Sequence, residues 1–313
     1  MLVWGGWYCY TTPNSFQVIT ENWPMTVTMV FGSFIAGATS EGGGAIAFPV
    51  FTKILHISPL DAKVFSLAIQ SVGMVAATLT IIVMRIAVEW RVILWASMGG
   101  IFGVMLGSIL IAPFLPADLL KMLFTAMIVS FALTLILLNW KPRLYNNYLT
   151  FFSWHEKLIL LITGFIGGCM TGLVGNGIDI ICFSVMVLLF RLSEKVSTAT
   201  SVVLMAFNSL VGFGIHLFII GGFTTEVKSY WLAAIPVVVI GAPLGAYFCT
   251  RLNNKTIASV LISLISIELI SSVYLVTLTN KIVYVSITVF LLFCYIYFHM
   301  SRVMRYNPKL EES

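Results

Sequence analysis

Three carboxylates, Glu41, Asp179 and Glu268, stand in apolar surroundings, and the first two lie beside the glycine clusters Gly42-Gly43-Gly44 and Gly175-Asn176-Gly177. A charged side chain at mid-membrane costs at least about 2.5 kcal/mol, so such acids are paired, hydrated or protonated. That makes Glu41 and Asp179 candidates for proton or ion coupling. The competing reading of Glu41 is a carboxylate in the water-filled mouth of a cavity, where it only tunes the field.

Consecutive glycines permit φ > 0 and let a ligand approach the backbone closely. A helix that starts just after such a turn presents N–H groups with no partner, which attract an anion without any charged side chain. The expected donors are Gly42, Gly43, Gly44 and Ala45 at the first cluster, and Gly175, Asn176, Gly177 and Ile178 at the second. Downstream of the first, Ser66, Gln70 and Ser71 fall on or near one helical face. Downstream of the second lie Thr198, Thr200, Ser201, Asn208 and Ser209. Hydroxyls of this kind also serve as plain helix-to-helix hydrogen bonds. Gln70 and Asn208 stand out because a repeat pairs them. The expected binding set is therefore Gly42, Gly43, Gly44, Ser66, Gln70, Gly175, Asn176, Gly177, Ser201 and Asn208. His216 reads as a hydrogen-bonded interior residue rather than a relay.

The elements that must position these residues follow from length. The apolar run from Thr26 to Leu55 would make a helix of about 45 Å against a hydrocarbon core of about 30 Å. That is too long for one crossing and too short for two, so the glycines mark two half-length helices meeting at a turn. Apolar runs follow at about 61–84, 91–111 and 119–139. A second over-long run, Leu158 to Phe190, broken at Gly172 to Gly177, precedes runs at about 196–220, 229–249, 256–278 and 282–300. Phe34-Ile35-Ala36-Gly37 recurs as Phe165-Ile166-Gly167-Gly168, and Gln70-Ser71 as Asn208-Ser209. Two copies of one broken-helix unit point to a transporter site at the repeat interface.

The predicted fold is an all-α polytopic membrane protein of two inverted repeats. Each repeat is a glycine-broken re-entrant helical hairpin plus three spans, and one extra span follows at the C-terminus. The divisions are an interfacial cap at 1–24, a first repeat at 25–140, a linker at 141–156, a second repeat at 157–280, and a last span with a cytoplasmic tail at 281–313. If both broken runs are re-entrant, Lys53, Lys63, Lys121, Lys228 and Lys281 fall on one face and the other twelve of the 17 Lys and Arg on the opposite face. If both instead cross, the split is ten against seven, a weak bias, so the positive-inside rule prefers the re-entrant form, with the N-terminus outside and the C-terminus in the cytoplasm of a plasma-membrane protein.

Composition agrees with a membrane protein: 59% hydrophobic residues, 9% charged residues and a mean hydropathy of +1.02 exclude an ordinary soluble domain. The net charge of +5 is spread thinly between apolar runs, as topology signals are, which argues against nucleic acid as a partner. Five cysteines and four histidines make no ligand set, so no metal or other cofactor is expected. No motif of a membrane hydrolase is present, so the chain reads as a non-enzyme.

Several motifs in order carry a likeness. They are Gly37 with Gly42-Gly43-Gly44 and then Pro49, and Ser58-Pro59-Leu60-Asp61-Ala62 leading into the span with Ser66. Arg85 to Arg91 follows, then Gly99-Gly100, Gly103, Gly107-Ser108 and Leu115-Pro116. In the second half come Gly172, Gly175, Gly177, Ala199-Thr200-Ser201 and Gly241-Ala242-Pro243-Leu244-Gly245-Ala246. From about residue 25 to 275 the chain resembles the TauE/SafE family of membrane transporters, associated with movement of sulfite and organosulfonates. The resemblance implies a secondary transporter, or permease, for a small sulfur oxyanion or sulfonate. Glu41, Asn176, Asp179 and Cys182 depart from the plainer residues expected there. The expected partners are a small anionic substrate and the lipid bilayer, with room for proton or ion coupling and for a homo-oligomer. Two other readings stay open at this point: a cation-coupled transporter of another small solute, and a non-transporting membrane scaffold.

Overall fold

The computed structural model describes residues 2–42, 49–139, 145–149 and 152–302. Among them every regular element is helical, apart from one isolated bridge between Asn146 and Leu192. Two short helices, α1 (Leu2–Thr11) and α2 (Ser15–Glu21), lead into α3 (Trp23–Ala38). A π-helical turn at Val50–Ile54 precedes α4 (Pro59–Val83), α5 (Trp90–Met105) and α6 (Ala117–Asn139). The second half consists of α7 (Trp154–Val174), α8 (Ile178–Leu188), α9 (Glu194–Ile215), α10 (Thr225–Arg251), α11 (Asn254–Leu275) and α12 (Asn280–Arg302). Of these, α4, α6, α7 and α9 to α12 are long and apolar enough to cross a bilayer, and so is α5 together with the π-helical and 3-10 turns that carry it on to Phe114. The 16 residues of α3 and 11 of α8 span only about 24 Å and 17 Å, short of a hydrocarbon core.

Helix starts follow capping chemistry written in the sequence. Ser58 accepts from the amide of Asp61 ahead of Pro59, whose fixed φ and missing N–H suit a first turn. Thr224 accepts from Val227 and Asn253 from Thr256. Ser153 and Glu156 form a capping box at the start of α7.

Small residues set the tightest contacts. Along α5 and the π-helical turn that continues it, Gly99, Gly103 and Gly107 recur every fourth residue, and Gly164, Gly168 and Gly172 do the same in α7. A Cβ at any of the six would run into backbone of the partner helix. Ala96 faces Gly164, Gly100 faces Gly168 and Val104 faces Gly172, so the two helices run in the same direction. This is the small-xxx-small packing by which helices associate in lipid, where apolar burial between helices supplies no drive. The pair α3 and α10 repeats the device: Ser33 and Phe34 meet Gly241, Gly37 meets Ala242 and Ala246, and Gly245 meets Phe34 and Ala38.

These registers define two sets of helices. Thr26 donates to the carbonyl of Ala233 near the start of α3, and Trp231 donates to the carbonyl of Ala68 while Gly73 packs on Val238, so α3, α4 and α10 share one direction. Thr200 accepts from the amide of Glu89, and Asn208 packs on Gly100, so α9 runs with α5 and α7. The sets are antiparallel, because Leu67 meets Gly212 while Val64, earlier in α4, meets Gly222 beyond the end of α9.

One end of the bundle is basic. There Arg91 donates to the carbonyl of Leu149 at 3.3 Å, Arg191 to that of Ser301 at 3.0 Å and Lys195 to that of Thr250 at 3.1 Å. Lys157 lies over the rings of Trp95, Phe152 and Trp154. Glu89 ties the same end together by accepting the amide of Leu149 at 2.8 Å.

Candidate functional site

Both glycine clusters break their helices. Thr39 closes α3, its amide and hydroxyl each bonding the carbonyl of Ile35, and Gly42 follows at φ +66°. At the second break Gly175 caps α7 at φ +86° and Gly177 at φ +150° leads into α8. These three positions require glycine, because L side chains rarely adopt such backbone. Gly43 and Gly44, named from the sequence, lie outside the described residues.

The two breaks meet inside the protein. Asn176 donates its side-chain amide to the carbonyl of Glu41. From α4, Gln70 Nε2 donates to Gly175 O at 2.9 Å and Ser66 O at 3.0 Å, and Ser66 Oγ donates to Gly175 O at 3.2 Å. Glu41, Gly42, Ser66, Gln70, Gly175, Asn176, Gly177 and Asp179 therefore form one buried polar junction. Asn208 joins its edge: with Ile178, the first residue of α8, it packs against Gly100. Ser201 is brought to none of these groups; its hydroxyl bonds the carbonyl of Thr198 within its own helix.

The amides at the head of α8 are not bare. Asp179 Oδ1 accepts from Gly177 N at 3.1 Å and Ile180 N at 2.9 Å, and Thr171 Oγ1 accepts from Ile178 N at 3.0 Å. The expectation of free donors there fails for a physical reason. A carboxylate in the first turn and a hydroxyl from the preceding helix already satisfy them, as N-terminal groups of a buried helix must be satisfied.

Two cavities enter the bundle, and the smaller of them reaches the junction at Glu41. The larger, about 550 Å³, opens at the basic end between Met84, Ile86, Tyr145 and Asn254, and reaches inward past Lys195 and Thr198 to Gly37 and Ala246. The smaller, about 170 Å³, is walled by Phe124, Ile128, Ile180 and Leu264 and holds Glu41, Lys53 and Glu268. In it Lys53 Nζ donates to Glu268 Oε1 at 3.0 Å, Ser271 Oγ at 3.0 Å and Ser272 Oγ at 2.9 Å. Thr125 on α6 completes the cluster by hydrogen bonding Ser272 at 2.8 Å.

Sequence reasoning flagged Glu268 as an acid needing a partner but treated Lys53 only as a topology signal. A lysine inside an apolar run was the available clue. Lys63, 3% exposed and one turn before Ser66, was passed over in the same way. Its carbonyl packs against Gly175. Lys195 in the larger cavity was also counted only for topology.

A bundle of apolar helices enclosing a buried polar junction between two helix breaks defines a multi-pass membrane transport protein. The family model "Sulfite exporter TauE/SafE" matches residues 25–275, and the chain belongs to that family. No curated protein and no solved structure matches it.

Proposed function

We propose that this protein is a secondary transporter, a permease moving a small anion, sulfite or an organosulfonate, across the plasma membrane by alternating access. The observation that carries the reading is the junction itself, where a break from each half is hydrogen bonded to the other through Asn176, Gln70 and Ser66. Non-helical backbone survives at membrane depth only where it is buried in protein or lines a cavity, and paired breaks between repeats are where transporter sites form.

The helix directions support inverted repeats. Because α3 and α4 point the same way, the chain between them turns back, and the same holds for α7 and α9. The two sets oppose each other, as hairpins entering from opposite faces require. In this reading α7, though long enough to cross, is the first arm of the second hairpin, and seven full crossings remain. The basic end is then cytoplasmic, with the N-terminus outside and the C-terminus inside. The larger cavity opens to the cytoplasm, where Lys195 and the amides of Asn147 and Asn254 suit an incoming anion. Glu41 and Asp179 remain the residues for proton or ion coupling.

The test is flux in proteoliposomes preloaded with sulfite or a short alkyl sulfonate. Exchange of either anion, lowered at least tenfold by Gln70→Ala in protein that stays folded, is expected. No flux of any sulfur oxyanion by folded, inserted wild-type protein would overturn the reading.

A further inference from the structure

The residues at the junction were expected to offer donors; what they turn toward its centre is oxygen. Gln70 Nε2 faces two carbonyls, Gly175 O and Ser66 O, which can only accept, so the amide group is fixed with Oε1 pointing the other way. Asn176 Nδ2 faces the carbonyl of Glu41, which fixes Oδ1 in the same manner. Asp179 spends Oδ1 on two amides of its own helix turn and leaves Oδ2. All three leftover oxygens lack a hydrogen-bond partner, and each residue is only 1% exposed.

They also converge. A Cβ built on Gly42 would fall nearest Asp179 Oδ2, then 3.0 Å from Asn176 Oδ1 and 3.1 Å from Gln70 Oε1, so three acceptors from two halves of the chain gather beside the Gly42 backbone. Helices α3 and α7 both end at this junction while only α8 begins there, so two negative dipole ends face one positive end, itself already met by the Oδ1 of Asp179. Buried acceptors without donors are costly, and a proton on Asp179 would supply only one. A metal cation supplies all three at once.

We propose that Gln70 Oε1, Asn176 Oδ1 and Asp179 Oδ2 bind a monovalent metal cation, sodium or potassium, against the backbone of Gly42. One carboxylate and two neutral amides balance a single positive charge, which disfavours a divalent ion in a site of low dielectric. Unwound backbone beside half-helix C-terminal ends is where coupling cations sit in other broken-helix transporters. The site deepens the transport reading above by naming its coupling ion, and it makes Gly42 obligatory, since any side chain there would fill it.

The experiment is thermal unfolding of the full-length protein in lipid nanodiscs, at fixed pH and ionic strength, with NaCl, KCl or N-methylglucamine chloride and no anion substrate added. A saturable rise in melting temperature with sodium or potassium, lost in Asp179→Asn and in Gln70→Ala and kept in Gly214→Ala, is the expected result. Equal melting in all three salts, or a rise that survives both substitutions, would overturn the site. A melting temperature that follows pH and ignores the metal would overturn it too, leaving a proton at Asp179. If Asp179→Asn does not fold, Gln70→Ala with Asn176→Ala decides the matter, because both remove neutral groups. Binding is read without sulfur anions, so failure of anion flux with an intact sodium or potassium shift would remove the substrate reading alone.

Discussion

Replacing Lys53 by Met should destabilise the protein strongly, and removing its partner as well should restore most of the loss. The Lys53 side chain is 1% exposed and that of Glu268 13%, and the ammonium makes three hydrogen bonds of 2.9–3.0 Å across the small cavity. Breaking a buried pair by removing one member costs about 3–5 kcal/mol, mostly through the charge left behind. Here Glu268 keeps slight exposure and the hydroxyl of Ser272 at 3.1 Å, so the lower end applies: about 3 kcal/mol, or about two decades in the unfolding equilibrium. Lys53→Met with Glu268→Leu removes both charges from a wall already lined by Phe124, Ile128 and Leu264, and should return to within about 1 kcal/mol of wild type. Glu268→Leu alone strands the buried Lys53 ammonium and should also cost about 3 kcal/mol, so reversible unfolding in mixed micelles of rising SDS fraction, which gives all four corners of the double-mutant cycle, should show a coupling of about 5 kcal/mol. A double variant as unstable as the sum of the two single ones would refute the assignment of the cost to an unpaired charge.

Two other substitutions probe the scaffold and the cavity. Gly168→Leu should prevent stable packing of α5 on α7, since even a Cβ there meets the backbone of Gly100, while Gly214→Ala, with nothing within 4 Å, should melt within a degree or two of wild type. Lys195→Gln should weaken the apparent affinity for sulfite or sulfonate about tenfold, with the maximal rate kept within about twofold, because the residue lines the approach and not the junction; a loss confined to the maximal rate would contradict that.

Hydropathy and glycine spacing made most of the architecture legible. The break after Ala38 could be read because three glycines follow one acid inside a run too long for a single crossing, and the second break because the pattern recurs at Gly175 and Gly177. The pairing of Gln70 with the second break was approached through its repeat partner Asn208. What composition could not convey is which atom a side chain turns inward. Gln70 and Asn176 each carry both donors and an acceptor, and only the carbonyls of Gly175 and Glu41 fix which end faces the centre. Nor does spacing along the chain reveal that Thr171, seven residues before Ile178, reaches across the turn to its amide. Lys53 and Glu268, 215 residues apart, needed the fold to bring them together.

The packing also explains why the two halves must act together. Each broken segment is braced mainly by a crossing from the other half: α3 lies on α10, and α7 on α5, through glycine-lined contacts in which backbone touches backbone. Interfaces of that kind have few intermediate arrangements, because a shift of a fraction of an ångström drives a carbonyl into a Cα, so they move as rigid pairs or not at all. The breaks are then joined to each other by much softer contacts, single hydrogen bonds from Asn176 to Glu41 and from Gln70 and Ser66 to Gly175. Under the alternating access proposed above, rearrangement would therefore concentrate at the junction between α3 with α10 on one side and α5 with α7 on the other. In the transport cycle proposed above, a ligand bound there would hold the two pairs together, and its departure would free them to move apart.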